Sequence, residues 1–317
     1  MPAIETRSLT KQYGSLHAVR DVDLVVERGE VFGFLGPNGA GKSTTIDVLL
    51  DLVRPTSGSV SVLGRDPQEE PRAVRERVGV LPEAFGYYGD ATARDHVAFA
   101  VDMKRATADP SAVLERVGLA DAADRRVEGF SKGMRQRLGL AMALVGDPDL
   151  LILDEPLAGL DPTGARLLRD VVRAERDRGV AVFLSSHIMD QVETLCDRVG
   201  IMNQGELVAV DDVERLRSTV ARQSTFVVTV DAVPDDHGVA NVDGVADVTA
   251  RDGTLRVSCT DATAKAAVVR RLEAAGATVL DVCNESTPLE ELFVALTGSN
   301  DETVDGPAVE ERTVTMA

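Results

Sequence analysis

The chain has 317 residues, 44% of them hydrophobic, enough to bury one large core and a smaller second one. Its longest apolar stretches, such as Leu138 to Val145, fall well short of the roughly 18 residues that span a bilayer, and its start, MPAIETRSLT, lacks the basic and apolar regions of a secretory signal. Acidic residues outnumber basic ones 52 to 34, and this net charge of −18 excludes a surface built to hold nucleic acid. These readings predict a folded protein of one or two domains, cytoplasmic by default, that reaches a membrane only through a partner.

The first 35 residues alternate apolar and polar positions over Ala3 to Leu9, Val22 to Val26 and Val31 to Leu35, with turn residues between them, and predict short strands. The segment GPNGAGKST follows at 36 to 44 and feeds a helix that runs to about Leu52, where Arg54-Pro55 and Ser57-Gly58 break it. Gly36, Gly39 and Gly41, with Pro37, Asn38 and Ala40 between them, let the backbone curl so that successive N–H groups converge on phosphate oxygens. Lys42 is placed to reach the β- and γ-phosphates, Ser43 to ligate Mg²⁺, and Thr44 to donate toward the α-phosphate. A glycine-rich turn without this role would not need Lys-Ser-Thr between a strand and a helix.

Helical patterns follow at 91 to 104, 110 to 117 and 133 to 144, before a continuous apolar strand, Leu150 to Leu153, of the kind buried in parallel sheets. It ends in Asp154-Glu155, two carboxylates beside the glycine-rich loop. Adjacent acids can divide the work: Asp154 holds Mg²⁺ through water and Glu155 aligns the attacking water. A helix at 162 to 178, a strand at Val180 to Ser185, a helix at 187 to 196 and a strand at Arg198 to Met202 complete an alternating α/β core that closes near Arg217. Beyond it, strands at Thr225 to Val230, Val245 to Ala250, Leu255 to Ser258 and Thr278 to Val282, with a helix from about Asp261 to Ala275, predict a small α+β unit. Thr287-Pro288-Leu289-Glu290 offers a helix start, the helix ending at Gly298, and residues 299–317 read as an acidic disordered tail.

Between the loop and the carboxylate strand the chain reads FSKGMRQ, Phe130 to Gln136, which resembles the Leu-Ser-Gly-Gly-Gln signature of the ATP-binding cassette (ABC) family. The resemblance is to the transporter ATP-binding subunits of its drug-exporter-like branch, with Lys132 in place of a glycine and Met134 in place of a glutamine. It implies an α/β fold, a P-loop NTPase of the ABC type with an N-terminal antiparallel β subdomain and a helical subdomain at about 85–145, within an ATPase domain at 1–217. A small α+β accessory domain at 218–298 follows. Ser131 and Gly133 match positions that contact the γ-phosphate held by the opposite subunit, Tyr13 the aromatic that stacks on adenine, Gly159-Leu160-Asp161 a loop that touches the partner subunit, and His187 the histidine on the γ-phosphate. Glu83 stands where the family usually has glutamine and can still face Mg²⁺ or its water.

The resemblance further implies ATP and Mg²⁺ as ligands, a head-to-tail dimer with ATP between the two copies, and a separate membrane permease, so that the subunit sits at the cytoplasmic face and powers export. The aromatic cluster Phe85 to Tyr88 either lines a groove for a permease helix or simply packs. Soluble ATPases of translation or DNA maintenance are the rival class; they usually carry paired cassettes or long coiled coils, and this chain has neither. A non-catalytic regulator would lack Glu155 or His187.

Cys196, Cys259 and Cys283 are widely spaced and match neither a disulfide framework nor a zinc site, and are expected to be reduced, mostly buried small hydrophobes. Only five of the basic residues are lysines. A dense carboxylate coat with few lysines suits molar salt, where self-repulsion is screened, and predicts a protein that folds and works best in high KCl.

Overall fold

The computed structural model describes residues 1–84, 86–215, 224–234, 236–251, 253–260 and 264–285. The expected end of the ATPase domain near Arg217, the residue Phe85, the start of the helix at Asp261, the helix opened by Thr287 and the tail at 299–317 lie outside them.

Two long strands, β1 (Ile4–Tyr13) and β2 (Leu16–Val26), form an antiparallel hairpin, and β4 (Ser57–Val62) pairs with the other edge of β1. Sequence alternation located parts of β1 and β2 but not β4, whose serines and glycine give little apolar signal. Between them β3 (Val31–Leu35), wholly buried, leads through the glycine-rich loop into α1 (Lys42–Leu49).

The central sheet has the order β5-β6-β7-β3-β8-β9, where β5 is Val78–Leu81, β6 Leu150–Asp154, β7 Ala181–Ser186, β8 Arg198–Asn203 and β9 Glu206–Asp212. Its pairs are parallel except β8 with β9. Every residue of β3, β6 and β7 is buried, as expected for strands covered on both faces. The carboxyl ends of β3, β6 and β7 therefore lie side by side, and all three lead into the predicted site residues. Two elements carried no usable signal: α2 (Pro71–Arg77), charged on all but one face, and β9.

Helices α3 (Ala93–Lys104), α4 (Pro110–Arg116) and α5 (Lys132–Leu144) pack on one side through Val97, Leu114, Leu138 and Leu140. Thr92 and Asp95 form a reciprocal cap at the start of α3. Helix α6 (Pro162–Asp177) and the short α7 (Met189–Glu193) follow β6 and β7. A separate antiparallel sheet, β11-β12-β10-β13, is formed by β10 (Ser224–Val230), β11 (Val245–Arg251), β12 (Thr254–Cys259) and β13 (Val279–Glu285). Its own core of Phe226, Val228, Leu255 and Val257 packs against Val268 and Leu272 of α8 (Ala264–Ala274). Cys259 is buried and Cys196 half-buried, but Cys283 is exposed, because it lies on the β13 face turned away from that core.

Candidate functional site

The loop after β3 can curl only because of its glycines. Gly41 has φ 106°, and a Cβ there would stand 2.2 Å from the Ala18 carbonyl oxygen; at Gly36 a Cβ would stand 2.5 Å from that of Met202. The loop ends as the N-terminus of α1, which begins at Lys42. Lys42 is 7% exposed, and its Nζ donates to the carbonyls of Gly36 (2.7 Å) and Pro37 (3.2 Å). Burial holds its pKa below the ordinary 10.5, while the carboxylates of Glu155, Asp154 and Glu83 push the other way.

The carboxyl ends of β6 and β7 meet this loop. Asp154 Oδ2 accepts from Ser43 Oγ (3.3 Å) and Oδ1 from Ser185 Oγ. Glu155 is 7% exposed and has φ 47°, a conformation that costs a non-glycine residue about 1–3 kcal/mol and that clusters at active sites. Its side chain meets three groups: His187 Nδ1 at 2.9 Å and Lys42 Nζ at 3.9 Å, both on Oε1, and Ser186 Oγ at 3.5 Å on Oε2.

Beside this centre opens a cleft of about 850 Å³. Asn38, Gly39, Gly41, Lys42, Ser43, Thr44, Glu83, Asp154 and Glu155 line one part of it, Tyr13 with Ser15 to Ala18 the other. Tyr13 is half exposed, and Lys11 Nζ sits 4.8 Å from the centre of its ring, the arrangement of a cation on an aromatic face. The glycine-rich loop, both carboxylates, Glu83 and Tyr13 are thus gathered at one site, with Gly36, Pro37 and Ala40 forming the loop beneath it.

Ser131, Gly133, Asp161 and His187 are not among the described residues that line the cleft. Ser131 caps α5, its Oγ accepting from Met134 N (3.2 Å), and Asp161 caps α6, its Oδ1 accepting from Gly164 N (2.7 Å). Gly133 lies against Gly159 and Leu160, where a Cβ would come within 3.5 Å of Leu160. Tyr87 lies under the Arg135 guanidinium at 4.4 Å, whereas Tyr88 is 74% exposed.

Two participants were given no role by the sequence, although Gln136 closes the FSKGMRQ stretch. Ser185, fully buried, joins Asp154 to the backbone of Glu155, and Gln136 on α5 donates to the carbonyls of Glu155 (3.4 Å) and Pro156 (3.2 Å). Their partners are set by strand register and helix placement, which spacing in sequence does not encode.

A phosphate-cradling loop with its lysine, an α1 dipole, and a carboxylate pair on a neighbouring parallel strand define a P-loop nucleoside triphosphatase. The family model for the ABC transporter matches residues 19–158. The linearmycin resistance ATP-binding protein LnrL of Bacillus subtilis is 33% identical over 93% of this chain and 98% of its own length, and a fluoroquinolones export ATP-binding protein of Mycobacterium tuberculosis is 40% identical over 80% of this chain and 85% of its own. The solved structure of an ATP-binding subunit of an ABC transporter superposes with a TM-score of 0.64 at 29% identity, over 69% of this chain and 93% of that one. The chain belongs to the ABC transporter family, as an ATP-binding and ATP-hydrolysing subunit.

Proposed function

We propose that the protein powers export through a separate membrane permease, as a head-to-tail dimer that closes on ATP at the cytoplasmic face. The observation that carries this reading is the division of the site. One chain brings together Lys42, Ser43, Asp154 and Glu155, while the start of α5 at Ser131 and Gly133 lies outside the cleft lining. A helix N-terminus is an anion site, and a second copy facing the first would bring it to the γ-phosphate. Export in particular is supported by relatives named for resistance and export; none of the relatives cited is named for translation or DNA work.

In this reading adenine stacks on Tyr13, the loop amides and Lys42 hold the phosphates, Glu155 orients and polarises the attacking water, and His187 hydrogen-bonds the γ-phosphate. Hard oxygen donors at Ser43 and Asp154, with Glu83 nearby, fit Mg²⁺, which takes few protein ligands and completes its shell with phosphates and water. Bound there, the ion supplies charge neutralisation to the phosphate oxygens. The ATPase domain is assigned to 1–217 and the accessory unit to 218–298.

No helix among the described residues is long and apolar enough to cross a membrane, so the permease must dock. A groove of about 460 Å³ between the sheet edge and α3 is lined by Val78, Val80, Pro82, Phe99 and Met103, with Arg75 and Lys104 also lining it. Phe99 and Met103, one turn apart, are 53% and 70% exposed. An amphipathic permease helix with an apolar ridge and an acidic flank matches it.

The test is purification of tagged Glu155→Gln protein from detergent-solubilised native membranes with MgATP. A polytopic membrane protein should come with it in stoichiometric amount and be lost when Phe99→Ser and Met103→Ser are added. Recovery of ribosomal or chromosomal proteins instead would overturn the transport reading and leave the ATPase chemistry standing.

A further inference from the structure

Ser185 sits at the carboxyl end of β7, directly opposite Asp154 of β6 in the parallel register, and is fully buried. Its hydroxyl has one proton. The Asp154 carboxylate can only accept and the Glu155 amide can only donate, so the proton goes to Asp154 Oδ1 and the oxygen lone pair takes the Glu155 N–H at 3.1 Å. One hydroxyl thereby joins the proposed metal carboxylate to the main chain of the proposed base.

Both attachments matter to geometry. With Oδ1 held by Ser185, the Asp154 carboxylate presents Oδ2 toward Ser43. With its N–H held by Ser185 and its C=O by the Ala158 N–H (3.1 Å) and Gln136 (3.4 Å), Glu155 is gripped on both sides at φ 47°, the turn that brings its side chain to His187 and Lys42. Were the Ser185 bond absent, a buried N–H would lose its acceptor, and the only side-chain contact from β7 left to oppose relaxation of Glu155 toward negative φ would be the longer one from Ser186 Oγ to Oε2 at 3.5 Å.

We infer that Ser185 is a positioning residue for ATP hydrolysis, which sets the Asp154 carboxylate and the Glu155 backbone together so that metal site and base are aligned as one unit. The inference rests on the assignment of Asp154 and Glu155 given above. It predicts a defect in turnover rather than in nucleotide capture, because Ser185 is not among the residues that line the cleft.

The experiment compares Ser185→Ala, Ser185→Val and Ser185→Thr with the parent protein. Thr keeps the hydroxyl, and Val has the shape of Thr without it. Ala and Val should lower kcat about 10- to 100-fold, the scale of a small misplacement at a reacting centre, with KM for ATP changed less than about threefold. Thr should stay within about fivefold of the parent kcat. Mn²⁺ binding in the presence of a non-hydrolysable ATP analogue, followed by electron paramagnetic resonance, should weaken several-fold in Ala and Val but not in Thr. The inference is overturned if Val turns over like Thr, or if Ala lowers kcat only in step with thermal stability and ATP affinity. Glu155→Gln in parallel keeps the two claims apart: its normal turnover would remove the base assignment, whatever Ser185 does.

Discussion

His187 Nδ1 lies 2.9 Å from Glu155 Oε1, the same carboxylate oxygen that lies 3.9 Å from Lys42 Nζ. A carboxylate only accepts, so this contact puts the histidine proton on Nδ1. Nε2 is then the ring nitrogen left to face a γ-phosphate oxygen. His187→Ala should retain ATP and lose about 10²-fold or more in kcat. Unchanged turnover in His187→Ala would remove the phosphate contact from the mechanism.

Much of this centre was legible in the sequence because each half is a local string. GPNGAGKST sits between a strand and a helix, and Leu150 to Glu155 combines a buried strand with its terminal acids, so pattern and chemistry coincide. The link between the halves was not legible. Ser185 reads as the polar end of an apolar strand until register sets it against Asp154, and Gln136 closes the FSKGMRQ stretch with no role of its own until α5 packs beside Pro156. The same reason hid β4 and β9, whose membership in a sheet comes from neighbours rather than from their own alternation.

Ser131 is exposed and caps α5 through Met134 N. Arginine in its place would remove the cap, at about 0.5–2 kcal/mol of local stability, and would fill the space before the helix N-terminus. Ser131→Arg should therefore bind ATP like the parent protein, which uses Lys42 and its own loop, yet fail to form the ATP-dependent dimer in the Glu155→Gln background. Sedimentation with MgATP decides it. A dimer that forms normally would exclude the start of α5 from the interface.

Burial depresses Lys42 below its ordinary pKa of 10.5 despite three nearby carboxylates. In the window between the folded value and 10.5 the unfolded chain binds more protons than the folded one, so this group's contribution to stability rises with pH. Below that window the cost of burying the charge is fully present. Lys42→Met removes the term. The stability gap between Lys42→Met and the parent, in the absence of nucleotide, should shift toward the parent as pH climbs toward 10.5, and the variant should lose ATP binding at every pH. Urea titrations across the alkaline range measure the first effect; a gap independent of pH would mean that Lys42 is not held charged against burial.

Salt sets two electrostatic effects against each other. Many arginines pair with acids at the surface, such as Arg20 with Glu206 at 3.0 Å and Arg72 with Glu76 at 3.0 Å, and screening weakens such pairs. Each exposed pair, however, is worth only about 0–1 kcal/mol, whereas a net charge of −18 repels itself over the whole surface. Raising KCl from 0.1 M to 1 M shortens the screening length from about 10 Å to about 3 Å, which removes most of the repulsion between separated carboxylates while contacts at 3 Å keep part of theirs. Repulsion should therefore decide the sign, and the thermal midpoint should rise by several degrees over that range, with ATPase activity rising alongside. A midpoint that stays level or falls would show that the paired arginines already balance the acidic coat, and the composition would then carry no adaptation to salt.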